Sequence, residues 1–182
     1  MREELAILGG PKAVKIETLE KLNLRPDWPI VGEEEIQKVV ETMRKGDITA
    51  AGGGGIMQEW EEAFAKYLGA KHVISTNSCC AALHMCLGAC EVGPGDEVIT
   101  TPYTWGQTVA PIMQQNALPV FTDIDPKTYT LDPNKIEAQI RPQTKAILVC
   151  HIFGHPVDVD PIMKIAESYD LKVIEDCAQA IG

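Results

Sequence analysis

The sequence predicts an α/β protein: a mostly parallel sheet covered by helices on both faces. Three observations carry that prediction. From residue 72 onward, short near-continuous apolar runs alternate with stretches of helical periodicity, the pattern of strands buried on both sides by crossover helices. Two Asp-Pro pairs, at 132–133 and 160–161, stand where such helices begin, each a side-chain cap followed by a proline at the first position. A chain of 182 residues that is 45% hydrophobic and 23% charged is long enough to bury one core.

The elements follow in order. Residues 1–31, with Gly9-Gly10-Pro11 and Pro26/Pro29 around Trp28, read as an irregular N-terminal arm. From Gly32 to Lys45 the apolar residues Ile36, Val39, Val40 and Met43 recur at helical spacing, and Gly46 stands at the C-cap. A second helix is predicted over 57–68 and ends at Gly69. Between the two lies "AAGGGG", residues 50–55. A short strand near 72–76 leads into a helix over 79–90. "EVITT" is a strand, followed by a helix over 105–116 that tolerates Pro111 if that residue falls near its first turn. "LPVFTDI" is a strand, Asp132-Pro133 opens a helix, and "KAILVCHI" is a strand. Asp160-Pro161 opens a helix over 161–169, and "KVIED" is the last strand.

Composition removes several functions. A formal net charge of −10 and the lack of any basic block exclude the phosphate neutralisation that nucleic-acid binding needs. The run Glu33-Glu34-Glu35 is the acidic first turn of a solvated helix. No stretch approaches the ~18 consecutive apolar residues of a membrane span, and "MREELAILGG" is no secretory signal, so a cytoplasmic location is expected. The cysteines at 79, 80, 86, 90, 150 and 177 form no Cys-x-x-Cys pair and have no histidine at zinc spacing. Reduced thiols and no metal are expected.

In a parallel α/β sheet every strand's carboxyl end lies on one edge, and ligands bind in the crevice there. Three segments fall just past strand ends. In "STNSCCAALHMCL" a helix opens on small residues, so its free amides and dipole suit a phosphate; a plain N-cap by Asn77 or Ser78 explains the same residues. In "TTPYTWGQTVAP" Tyr103 and Trp105 straddle a turn, either as core aromatics or as a flat face for a planar heterocycle. In "VIEDCAQAIG" Asp176 ends a buried strand, where a carboxylate is costly unless paired. It could meet a cationic ring nitrogen of a cofactor or cap the next helix. Glu175 points to the other face of the strand, and Gln179 is within reach of a ring substituent. No Gly-x-Gly-x-x-Gly and no Gly-Lys-Ser/Thr supports a Rossmann or P-loop site.

Six stretches in this order, "VGEEEIQKVVETMRKG", "EWEEAFAKYLGAKHV", "AALHMCL", "VGPGDEVITTPYTW", "PVFTDIDPKTYTLDP" and "VIEDCAQAIG", carry a resemblance. From about Arg25 to Gly182 the chain resembles the DegT/DnrJ/EryC1/StrS family of sugar and cyclitol aminotransferases, fold-type I enzymes that use pyridoxal 5′-phosphate (PLP). The resemblance implies that Asp176 pairs with the pyridinium nitrogen, that Gln179 contacts the ring hydroxyl, and that Trp105 stacks on the ring. It implies that Ser78, Cys79 and Cys80 stand for the family's usual Ser-Gly-Thr turn, whose amides hold the phosphate. Cys80 departs from that pattern, because a thiol replaces a threonine hydroxyl poorly at a phosphate.

The resemblance also implies a Schiff-base lysine that none of the twelve lysines matches; it would lie beyond residue 182. Residues 32–182 are then the N-terminal part of the large PLP-binding domain, with the rest of that domain and a small C-terminal domain further on. The 182-residue chain by itself is expected to be inactive. The implied reaction moves an amino group from glutamate or glutamine to a keto-sugar or keto-cyclitol, in a homodimer with glycines 52–55 near the interface. Two rivals stand beside it. One is a PLP-dependent sugar dehydratase on the same scaffold, in which histidine takes the lysine's place. The other is a non-catalytic α/β nucleotide-binding or interaction domain.

Overall fold

The structure, a computed structural model, describes residues 29–46, 48, 49 and 54–181, with positions 17 and 21. Most of the predicted arm and residues 50–53 of the glycine loop therefore lie outside the described residues. The chain divides into two compact units, Met1–Glu59 and Trp60–Gly182.

In the first unit, helix α1 (Glu33–Lys45) opens with Glu35 reaching back to accept from the Gly32 amide at 2.7 Å and closes on Gly46 at φ +71°. Its acidic first turn and basic last turn complement the helix dipole. Lys38 bridges Glu59 at 2.9 Å, a solvated pair that contributes little. Helix α2 (Gly55–Leu68), whose residues from Trp60 onward belong to the second unit, starts two residues before the predicted position and ends at Gly69, φ +65°.

The second unit holds the sheet. Helix α3 (Cys79–Ala89) leads to β1 (Glu97–Thr100), α4 (Gly106–Gln114), β2 (Leu118–Phe121), β3 (Thr144–Cys150), α5 (Val159–Tyr169) and β4 (Lys172–Asp176). These four strands pair in parallel throughout, in the order β2-β1-β3-β4. Successive side chains of one strand go to opposite faces, and the core divides accordingly. Val98, Ala146, Leu148 and Ile174 pack with Leu83 and Leu87 of α3 and Ile112 of α4. Ile99, Ile147 and Val149 pack with Leu131, Ile136 and, from α5, Ile162 and Ala166. Each fully buried aliphatic side chain contributes roughly 1.5–3 kcal/mol. The sheet is thus covered on both faces. Because the chain passes from β2 back across β1 to β3, the order reverses between β1 and β3. Ligand crevices form at the carboxyl edge of such a reversal.

Four expectations need correction. Residues 72–76 form no strand; the Ser75 amide and hydroxyl donate to Glu61 Oε1, each at 2.7 Å, in place of a ladder partner. Asp132 caps as expected, accepting from Asn134 N at 3.0 Å, but two 3₁₀ turns (Pro133–Lys135 and Glu137–Gln139) replace the helix. Arg141-Pro142 follows too closely for a longer helix to form. Helix α5 begins two residues early, after Asp158, so Pro161 lies inside the first turn, where its missing N–H has no helical partner to lose. Pro111 is the sixth residue of α4, past the first turn, and the Gln107 carbonyl goes without its helical donor there.

Candidate functional site

Asp176 ends β4 and is 6% exposed. Its Oδ2 accepts from the Thr108 hydroxyl at 2.7 Å; its Oδ1 accepts from the Ala178 amide at 3.2 Å and the Cys79 thiol at 3.5 Å. An ionised carboxylate offers about four acceptor positions, so three neutral donors leave room for one more. Among the described residues no cation pairs with it. Glu175 faces the other way, as strand alternation requires, and its Oε2 lies 3.1 Å from His151 Nε2.

A cleft of about 480 Å³ opens beside Asp176, within the usual range for a small-molecule site. The structure brings all six predicted residues to it: Ser78, Cys79, Cys80, Trp105, Asp176 and Gln179 all line the cleft. Ser78 is the N-cap of α3, its Oγ accepting from Ala81 N at 3.2 Å. The plain capping role is therefore real, yet the Ser78 hydroxyl proton stays available as a donor. The amides of Cys79 and Cys80 open the helix and have no intrahelical acceptor. Burial, followed by the charge of Asp176, pushes the Cys79 thiol up to about 11. Trp105 is 69% exposed, which rules out the core-aromatic alternative for it.

Gln179 is oriented by a strained turn. Phe153 adopts φ +55° and Gly154 φ +76°, and the Phe153 amide donates to Gln179 Oε1 at 2.6 Å. Because the donor is an N–H, the side-chain atom facing it is the oxygen, and the Gln179 amino group is left to donate elsewhere. A Cβ at Gly154 would stand 3.0 Å from the Gln179 carbonyl oxygen.

Sequence reasoning missed Thr108 and Gln107 on α4, Cys150 at the end of β3 and Ile152 just past it, which also border the site. A polar β-branched residue one turn past Trp105 was the only available signal for Thr108. All six cysteines are free. No cluster of three or more His, Cys, Asp or Glu suited to a metal occurs among the described residues. No helix among them is long and apolar enough to cross a membrane.

Comparison with known proteins identifies the family. The DegT/DnrJ/EryC1/StrS aminotransferase family profile matches residues 29–182. The spore coat polysaccharide biosynthesis protein SpsC of Bacillus subtilis is 44% identical over 153 residues, 84% of this chain and 39% of that protein. GDP-perosamine synthase of Caulobacter vibrioides is 45% identical over 129 residues, 71% of this chain and 35% of that protein. The solved aminotransferase of Psychrobacter cryohalolentis superposes with a TM-score of 0.82 at 34% identity, covering 86% of this chain and 40% of that one. NtdA of Bacillus subtilis, solved with bound PMP, gives a TM-score of 0.74 at 34% identity, covering 84% and 35%. A solved member of this group thus carries PMP, and the chain spans about 40% or less of the length of these relatives. The α/β sheet, the cleft at its carboxyl edge and the profile match agree: the chain belongs to the DegT/DnrJ/EryC1/StrS aminotransferase family.

Proposed function

We propose that the protein is a PLP-dependent aminotransferase whose complete form moves an amino group from glutamate or glutamine to a keto-sugar or keto-cyclitol. The observation that carries this reading is Asp176, a buried carboxylate on a cleft wall with neutral donors and, among the described residues, no cation. Such a group asks for a positive partner, and a protonated pyridine nitrogen is one.

The residues present fit the cofactor. Asp176 would hold a proton at the ring nitrogen. Trp105 would lie on the ring face, and the Gln179 amino group would donate to the ring hydroxyl oxygen. The Cys79 and Cys80 amides, helped by the α3 dipole and the Ser78 hydroxyl, would take the phosphate. The Cys80 thiol adds little there, so backbone donors bear the load. When bound, PLP supplies an electron sink for the carbon that gives up its proton. Asp176 keeps that sink charged, and the buried floor around Thr108 and Cys150 keeps water from the acid.

No lysine among the described residues lines the cleft. The proton-shuttling lysine that the chemistry requires is accordingly assigned to a segment outside these 182 residues, and the chain alone is taken to be inactive. In this reading residues 1–31 are an arm, 32–182 belong to the large domain, and the complete enzyme is a cytoplasmic homodimer. Gly54 and Gly55, both at positive φ, would lie near the interface. The name of the Caulobacter relative, a GDP-perosamine synthase, favours a nucleotide-linked keto-sugar as acceptor.

The test incubates the full-length protein with PLP, glutamate or glutamine, and a panel of nucleotide-linked keto-sugars and keto-cyclitols. Formation of the 2-oxo acid together with an aminated acceptor is the expected result. Loss of water from a sugar without amino transfer would favour the dehydratase instead, and failure to bind PLP would overturn both.

A further inference from the structure

We infer that Thr108, backed by Thr104, is the positioning residue that aims the Asp176 carboxylate at the ring-nitrogen site. This rests on the reading of Asp176 as the acid beneath a pyridine ring. Thr108 is fully buried on α4, 68 residues before Asp176, and its hydroxyl lies 2.7 Å from Asp176 Oδ2. Behind it, Thr104 Oγ1 lies 2.8 Å from Thr108 Oγ1.

The direction of the two bonds follows from proton counting. A carboxylate only accepts, so Thr108 commits its single hydroxyl proton to Asp176. Thr108 can then only accept from Thr104, so Thr104 donates. The resulting line, Thr104 to Thr108 to Asp176, carries one proton per link in one sense, and each bond polarises the next. A bond to an ionised acceptor is about twice as strong as a neutral one.

That line fixes the carboxylate in a way the other donors do not. The Ala178 amide is local to the strand end, and the Cys79 thiol is a weak donor; both engage Oδ1. Among the described residues only Thr108 holds Oδ2, from the helix that also carries Trp105 at its N-cap. One helix therefore sets both the stacking face and the orientation of the acid. Without the Thr108 hydroxyl, the carboxylate is free to turn about its terminal torsion, which is broad for Asp. Its alignment with a ring held from Trp105 is then lost.

The experiment uses the full-length protein with ¹⁵N-labelled PLP, following the ring-nitrogen resonance and the dissociation constant together. Thr108→Val keeps the shape and removes the hydroxyl. It should move the resonance toward that of the unprotonated ring and weaken binding about tenfold, ~1.4 kcal/mol, while the circular dichroism spectrum stays that of the folded wild type. Thr108→Ser should restore both readouts. If Thr108→Val matches the wild type, or Ser and Val are equally impaired, the proposal is overturned. Asp176→Asn separates the two layers. If it retains the protonated resonance, the acid itself has been misassigned. If it loses that resonance while Thr108→Val keeps it, only the role of Thr108 falls. Should Thr108→Val fail to fold, Thr104→Val takes its place, with a smaller shift in the same direction expected and an unchanged resonance counting against the proposal.

Discussion

His151 is a buried group that ties the carboxyl edge together, and replacing it with alanine gives a calculable loss. The residue is 6% exposed. Its Nδ1 lies 2.9 Å from the Val157 amide, which can donate only to an unprotonated nitrogen, so the ring proton sits on Nε2 and goes to Glu175 Oε2 at 3.1 Å. The His151 amide also donates to the Asp176 carbonyl at 3.2 Å, tying β3 to β4 at the site. His151→Ala strands a buried amide, which costs about 1–3 kcal/mol, and leaves a void that adds about 1 kcal/mol. The Glu175 link is half exposed and adds well under 1 kcal/mol. We expect a net loss of about 3 kcal/mol, or a melting temperature lower by about 6–12 °C for a domain of this size. Urea unfolding and thermal melts followed by circular dichroism measure it. His151→Asn places an amide oxygen near the lost Nδ1 and should recover part of the loss. His151→Gln reaches instead toward the Nε2 position and should recover less. An alanine variant within 0.5 kcal/mol of wild type, or better rescue by Gln than by Asn, would refute the account.

Two further predictions concern the cleft wall. The Cys79 thiol, raised from 9.0 to about 11, holds about a hundredfold less thiolate than an unperturbed thiol at pH 8. Its greater intrinsic nucleophilicity restores about half of that on a logarithmic scale. Iodoacetamide should therefore modify Cys79 about tenfold more slowly than an unperturbed cysteine, and faster in Asp176→Asn, as peptide mass mapping would read. Equal rates in the two proteins would remove Asp176 as a cause. Gly154→Ala forces a side chain into φ +76° and within 3.0 Å of the Gln179 carbonyl oxygen. A loss of about 1–3 kcal/mol and weaker PLP binding are expected, and a neutral effect on both would contradict the tight turn.

The strands "EVITT", "KAILVCHI" and "KVIED" were legible because strands buried on both faces read as continuous apolar runs. The run 72–76 has the same composition but not the same fate, since a strand exists only where a ladder partner does, and Ser75 bonds Glu61 instead. For the five helices that formed, the starts were readable to within two residues, but the signal at Asp132-Pro133 gave only 3₁₀ turns. The signal at Asp160-Pro161 was sound, but proline is tolerated throughout the first turn, so it does not fix the first residue. Asp176 stood out because an acid at the end of an apolar strand contradicts its surroundings. Thr108 did not, because its partner lies 68 residues away and a buried threonine is chemically unremarkable until that partner is known. The orientation of Gln179 was likewise hidden, as it depends on the positive φ at Phe153, a residue type that gives no warning of it.

The most direct measurement is the turnover of Asp176→Asn beside Glu175→Gln in the full-length enzyme, with the acceptor found in the panel. Asparagine keeps the shape of Asp176 and removes the charge that holds the ring nitrogen protonated. The account predicts a fall in kcat of at least about 100-fold, ~2.7 kcal/mol of transition-state stabilisation, with PLP still bound through the phosphate and ring contacts. Glu175, turned to the opposite face beside His151, should tolerate Gln with turnover close to wild type. Near-normal turnover of Asp176→Asn together with an inactive Glu175→Gln would contradict the account and put the acid on the other face of β4.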